Sequence, residues 1–151
     1  MSAQARPQVA VTVRMFTRRL SSTRRGARLA RVLAVRQLDA WGYGGEPLSD
    51  IAASIVAELA ANAATHGRVP GRDFEVGLVL AGGTLRIEVA DTRTESGPPT
   101  GTGSAPDPGP ASETGRGLLL VAALATRWGV ADRQGPGKTV WAEIDITDGG
   151  T

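Results

Sequence analysis

The stretch ELAANAATHG, residues 58–67, sets Glu58, Asn62 and His66 at successive spacings of four in an alanine-rich run with high helix propensity. On a helix a step of four advances by about 40°, so the three polar side chains make one stripe. With Glu58 at zero, Ile51, Ile55 and Leu59 fall near about 20°, 60° and 100° on the same wheel, so the polar and apolar stripes coincide. That predicts Glu58 and Asn62 pointing toward the interior that the isoleucines face. A carboxylate there without a partner costs at least several kcal/mol as an order of magnitude, and so calls for a cation, a hydrogen-bond network or a water-filled cavity. A structural network or a helix end open to solvent answers that need as well as a binding site does.

Two further features carry chemistry. RIEVAD closes a strand on Asp91 at the edge of a long loop, where a carboxylate reaches a ligand without being buried in a sheet. ETGRGLLLV puts Gly115 and Gly117 just before a helix, where small residues let backbone amides approach an anion that the helix dipole favours. A third feature is a decoy. DRQGPGKT, residues 132–139, resembles a phosphate-binding P-loop, but Asp132 stands at the first glycine position. The next residues, VWAEIDI, alternate as a strand, whereas a P-loop leads into a helix. The P-loop reading is rejected.

These residues need elements to hold them. QVAVTVRMF alternates Val9, Val11 and Val13 as a first strand. SSTRRGARLARVLAVRQLDAWG reads as a helix, N-capped by Ser22 or Thr23 and stopped at Gly42. A second helix is predicted from Leu48 to His66, ended by Gly67. FEVGLVLAGGTLRIEVAD reads as a hairpin around Gly82 and Gly83. Residues 92–114 are rich in Gly, Pro, Ser and Thr, and a connection that long is a functional lid or a disordered segment. GRGLLLVAALATRWG is predicted as a third helix, followed by strands VADR and TVWAEIDI around QGPGK.

Composition limits the alternatives. The 151 residues suit one core of ordinary size, with 41% apolar and 21% charged residues. No apolar stretch spans a bilayer and Met1 does not lead into a signal-peptide pattern, so the expectation is a soluble cytoplasmic protein without a membrane partner. The chain has no Cys and one His, which removes disulfides, thiol nucleophiles and multi-His metal sites. The net charge of +2 hides an asymmetry, since the first 38 residues hold nine Arg and no acid. That segment has a single aromatic, Phe16, and no DNA-binding motif, so a solvated helix or a protein-docking face is favoured over direct nucleic-acid binding.

In combination, Glu58, Asn62 and AATHG, Asp91 after a strand, GRGL opening a helix and GKTVWAEI in a last strand resemble the N box, G1 box, G2 box and terminal Thr motif of the GHKL ATPases. That superfamily includes gyrase B and the histidine-kinase catalytic domains. Within it the pattern is most similar to the small anti-sigma-factor serine/threonine kinases, whose helix reads E-x-x-x-N-A-x-x-H-G. The resemblance implies an α+β fold of the Bergerat ATP-binding type, a two-layer α/β sandwich with helices on one face of a mostly antiparallel mixed sheet. It implies one histidine-kinase-like ATP-binding domain over residues 1–151, with residues 92–114 as the ATP lid.

The same resemblance implies roles and partners. Glu58 matches the general base that polarises a substrate hydroxyl, Asn62 the Mg2+ ligand beside the phosphates, and Asp91 the carboxylate that binds the adenine amino group. Gly115, Arg116, Gly117 and Leu118 match the phosphate-side loop and helix start, and Thr139 the hydroxyl that supports the adenine contact. His66 keeps its place in the motif without a catalytic role. ATP and Mg2+ are the implied cofactors. The implied function is phosphorylation of a small antagonist protein coupled to binding a sigma factor, with the Arg-rich helix as a docking or homodimer face. One departure stands out: the G1 pattern D-x-G-x-G is replaced by DTRTE, so Arg93 and Glu95 occupy both glycine positions. Those glycines allow close backbone approach to nucleotide, so a binding-only regulator that transfers no phosphate stays open as the alternative.

Overall fold

The computed structural model describes residues 12–66, 73–91, 113–132 and 138–146. Strand β1 (Arg14–Ser21) leads into helix α1 (Arg24–Leu38), a π-helical turn (Asp39–Tyr43) and helix α2 (Pro47–His66). Strands β2 (Asp73–Ala81) and β3 (Thr84–Asp91) form a hairpin, and helix α3 (Glu113–Leu124) precedes strands β4 (Arg127–Asp132) and β5 (Lys138–Asp145). The strand order is β1-β2-β3-β5-β4, and all four pairings are antiparallel. With α1 packed on β1 and α2 on β2, β3 and β5, the result is the expected two-layer α+β sandwich.

Register explains the layers. The pairs Val76↔Val89, Leu78↔Ile87 and Leu80↔Leu85 continue into β5 as Ile87↔Ala142 and Leu85↔Ile144. Because side chains alternate between faces, these residues form one apolar surface, and it is buried. From α1 it receives Ala30, Ala34 and Leu38, and from α2 Ala52, Ile55, Val56, Leu59 and Ala60. The opposite face is polar. Arg86 lies over the Trp141 ring at 4.5 Å and pairs with Glu88 and Glu143, while Arg127 pairs with Glu143 at 2.9 Å and grips Asp145 with both terminal nitrogens.

Four boundaries differ from the expectations. The first strand is shifted along the chain: β1 begins at Arg14, and Val9 and Val11 fall outside the described residues. Its inward alternation is carried by Phe16 and Leu20, which pair with Leu78 and Phe74. Helix α1 is capped by Thr23, whose Oγ1 accepts from the Gly26 amide at 3.0 Å, but the chain turns on through the π-helical segment, with Gly42 at φ +97°. Helix α3 starts earlier and ends sooner than expected, taking in Glu113 and Thr114 and stopping at Leu124. Arg127, Trp128 and Gly129 leave the predicted helix for β4, where they pair with Glu143, Ala142 and Trp141. Gly129 lies so close to the Trp141 ring that a Cβ would sit 2.8 Å from it, so a strand neighbour claims a residue that helical periodicity had absorbed. At the hairpin, both Gly82 and Gly83 have positive φ, as a two-residue turn with right-handed strand twist requires. Of the proposed lid, residues 92–112 fall outside the described residues, as does the Gly67 helix stop.

Candidate functional site

The path of the chain decides which predicted residues meet. Ser21 pairs with Asp73, and α1 begins three residues after Ser21, so α1 starts at the sheet end where β2 begins. α2 packs antiparallel to it across the short π-helical turn and ends at His66, seven residues before Asp73. The C-terminal half of α2 therefore lies at that same end. Phe74↔Asp91 sets the end of β3 there as well. α3 feeds β4 through Ala125 and Thr126, and Arg127 starts β4 at the opposite end, beside Glu143. The first turn of α3 is thus at the Asp91 end, where β5 also starts. Glu58, Asn62, Asp91 and residues 115–118 are gathered at one end of the sandwich.

Placement on each element is more specific. Phe74 is fully buried under the helices, and Asp91 opposite it faces the same helix side of the sheet, half-buried at the strand end. Glu58 and Asn62 are also half-buried. This corrects the wheel reading. The buried arc of α2 runs through Ala52, Ala53, Ile55, Val56, Leu59 and Ala60, so Glu58 and Asn62 lie on its flank with half-buried Ile51 and not at its centre. The cause is the alanines: α2 is packed on the sheet and between α1 and α3, and close approach buries small residues that carry little hydrophobic weight in the sequence. Half-buried groups keep access to water, so neither side chain bears the full desolvation cost of an interior charge.

Two other placements bear on the motif residues. Gly115, Arg116 and Gly117 lie within the first turns of α3, which opens at Glu113; the amides without an acceptor inside the helix are those of residues 113–116, ahead of Gly117. Leu118 comes next, half-buried. Thr139 pairs with Ala90, which sets it on the outer sheet face with Trp141 and Glu143, away from the face that carries Asp91. Continuing the same register brings Lys138 beside Asp91. The sequence carried that signal only in combination with the strand register, because Lys138 and Thr139 are adjacent and a one-residue step exchanges faces.

Among the described residues no group of three or more Asp, Glu or His could hold a metal ion alone. An Asn flank open to water suits Mg2+, which keeps several waters and completes its shell with phosphate oxygens. Among the same residues no helix is long and apolar enough to cross a membrane.

The family model of the histidine kinase-like ATPase domain matches residues 4–144. The chain belongs to this family. No curated protein matches it. The match spans every element from β1 to β4 and nearly all of β5, so in this histidine kinase-like ATPase domain the gathered end of the sandwich is part of the family fold.

Proposed function

We propose that this end of the sandwich binds Mg·ATP and that the chain is a protein serine/threonine kinase of the anti-sigma-factor type, acting on a small antagonist protein and holding a sigma factor. The observation that carries the reading is the convergence of Glu58, Asn62, Asp91 and the α3 start on one sheet end within a histidine kinase-like ATPase domain. Asp91, at a half-buried strand end, suits the adenine amino group. Asn62, on the water-accessible flank of α2, suits a Mg2+ ligand, and the α3 amides suit the phosphates. Bound there, Mg2+ would neutralise phosphate charge, which is the main demand of phosphoryl transfer. Glu58, one turn before Asn62, would take the proton of an acceptor hydroxyl as its oxygen bonds the γ-phosphorus and ADP departs.

The second reading, a binding-only regulator, is favoured by Arg93 and Glu95 at the two glycine positions after Asp91. Calorimetry with Mg·ATP on the native chain, Asn62→Ala and Asp91→Ala is the first test. Binding by the native chain and its loss in both variants supports the site. No binding by the folded native chain at ~1 mM nucleotide, a Kd above the millimolar range, removes the ATP site. Transfer of labelled γ-phosphate to a Ser or Thr of a partner then separates the kinase from the binding-only regulator.

A further inference from the structure

On the other flank of α2 runs a groove of about 520 Å³, shared with α1. Ala57, Ala61 and Ala64 of α2 and Ala27 of α1 give it a shallow, small-residue floor, and Arg24, Arg28 and Arg31 form one wall. The arginines stand at i, i+4 and i+7, so they line a single side of α1 over about 10.5 Å. Among the described residues none of the three has an ion-pair partner. No acidic residue occurs anywhere in α1 to supply one.

The solvent side of α1 beside this wall is apolar. Leu29, Val32 and Val35 are 43%, 44% and 37% exposed, at a spacing of three that aligns them along the helix. A surface helix ordinarily turns such residues inward. Here the inward side is already filled by Ala27, Ala30, Ala34 and Leu38, so the second apolar stripe has no partner within the described residues.

We propose that the α1/α2 groove and this stripe dock an acidic amphipathic helix of a protein partner. Its carboxylates, spaced by three or four, pair with Arg24, Arg28 and Arg31, and its apolar side covers Leu29, Val32 and Val35. Charge complementarity specifies the acid, and the exposed stripe specifies a protein in preference to nucleic acid, since a phosphate backbone has no use for three aliphatic side chains. Arg24 faces the C-terminal turns of α2 and Arg31 its middle, so the docked helix lies at the sheet end that gathers Glu58 and Asn62, on the adjoining face of the same helix. Docking of this kind goes beyond the nucleotide reading and does not depend on it.

The test uses the full chain and two synthetic peptides of about 20 residues, long enough to hold a helix. One carries Leu at i, i+3 and i+7 with flanking Glu, and the other has Lys at every Glu. Affinity is read by fluorescence anisotropy, beside a labelled DNA duplex of similar length. The acidic peptide is expected to bind, the basic one not, and Arg28→Glu to weaken binding about tenfold, with the Arg24→Glu/Arg28→Glu/Arg31→Glu variant weaker still. The three positions are exposed and Glu forms helix about as well as Arg, so folding is retained, and far-ultraviolet circular dichroism verifies it. Ala61→Gln, which fills the groove floor without touching charge, is expected to weaken the peptide as well. Equal binding of both peptides, no binding at ~1 mM, or unchanged affinity in the charge-reversed variants overturns the proposal. Duplex binding that needs the same arginines, with no peptide binding, assigns the surface to nucleic acid instead. Mg·ATP calorimetry on the same samples keeps the two readings apart: peptide binding without ATP binding removes only the nucleotide site, and the reverse removes only the groove.

Discussion

Replacing Glu58 by Gln removes a proton acceptor while keeping side-chain size and polarity, and so separates binding from transfer. If Glu58 is the base, Glu58→Gln keeps Mg·ATP affinity within about twofold and lowers phosphoryl transfer by about 10²–10⁴-fold, the range for a lost general base. Rapid-quench transfer assays beside calorimetry read the two effects separately, and equal loss of both would recast Glu58 as a binding group. Gly26 makes a different kind of prediction. A Cβ there would lie 1.9 Å from the Ser21 carbonyl oxygen, a backbone atom that cannot swing aside. Gly26→Ala therefore costs about 1–3 kcal/mol or more by overpacking, measured by urea unfolding. Thr23→Ala, next to it, loses a helix cap and costs about 1 kcal/mol.

Strand pairing and helix flanks decide what a motif can reach. Thr139 and Lys138 differ by one position in sequence but by a whole sheet face in structure, since Thr139 is held opposite Ala90. Thr139→Val is accordingly expected to leave Mg·ATP affinity within about twofold, the scatter of a distant substitution. A loss above tenfold would show that the start of β5 bears on the nucleotide despite its register. On α2 the polar flank and the arginine groove are separated by rotation about the helix axis. Asn62→Ala is therefore expected to abolish Mg-dependent nucleotide binding while leaving the acidic peptide bound, and Arg28→Glu to do the reverse.

Across the whole molecule, charge is arranged by layer. The exposed sheet face carries Arg86, Glu88, Arg127, Glu143 and Asp145 as a mixed network, while the helix layer bears Arg24, Arg28 and Arg31, without ion-pair partners among the described residues. Hydrogen bonds from Arg127 and then Arg86 hold the Glu143 carboxyl below its ordinary range, and Arg127 followed by Thr84 does the same for Asp145. Arg127 is pushed up in turn and stays charged throughout. A carboxyl lowered in the folded state adds stability at pH values above its unfolded pKa and loses it as pH falls through the folded one. The network is thus intact at neutral pH and fails on acidification below the usual carboxylate range of about 4. Glu143→Gln is expected to lower Tm by a few degrees at pH 7, with the gap to the native chain closing below about pH 4; a gap constant with pH would assign the effect to something other than these ion pairs.

How far the sequence reached depends on the kind of property each signal measures. Period-two alternation fixed the β2/β3 hairpin, and Gly82-Gly83 fixed its turn, because both are local properties of backbone and side-chain direction. Helical spacing gave α2 to within a residue at its start, and capping preference narrowed the α1 cap to Ser22 or Thr23, of which Thr23 makes the bond. The combination of Glu58, Asn62, Asp91 and GRGL pointed to the histidine kinase-like ATPase domains to which the chain belongs. Tertiary structure alone decided the rest. The pairing of Arg127–Gly129 with β5 shortened α3, and the pairing of Ala90 with Thr139 chose which strand residue faces Asp91. Packing of alanines on α2 moved Glu58 and Asn62 from the interior to a half-buried flank. The groove beside Arg24, Arg28 and Arg31 exists because α1 and α2 lie together. These depend on contacts between residues far apart in the chain, and no local periodicity encodes which partner a residue will meet.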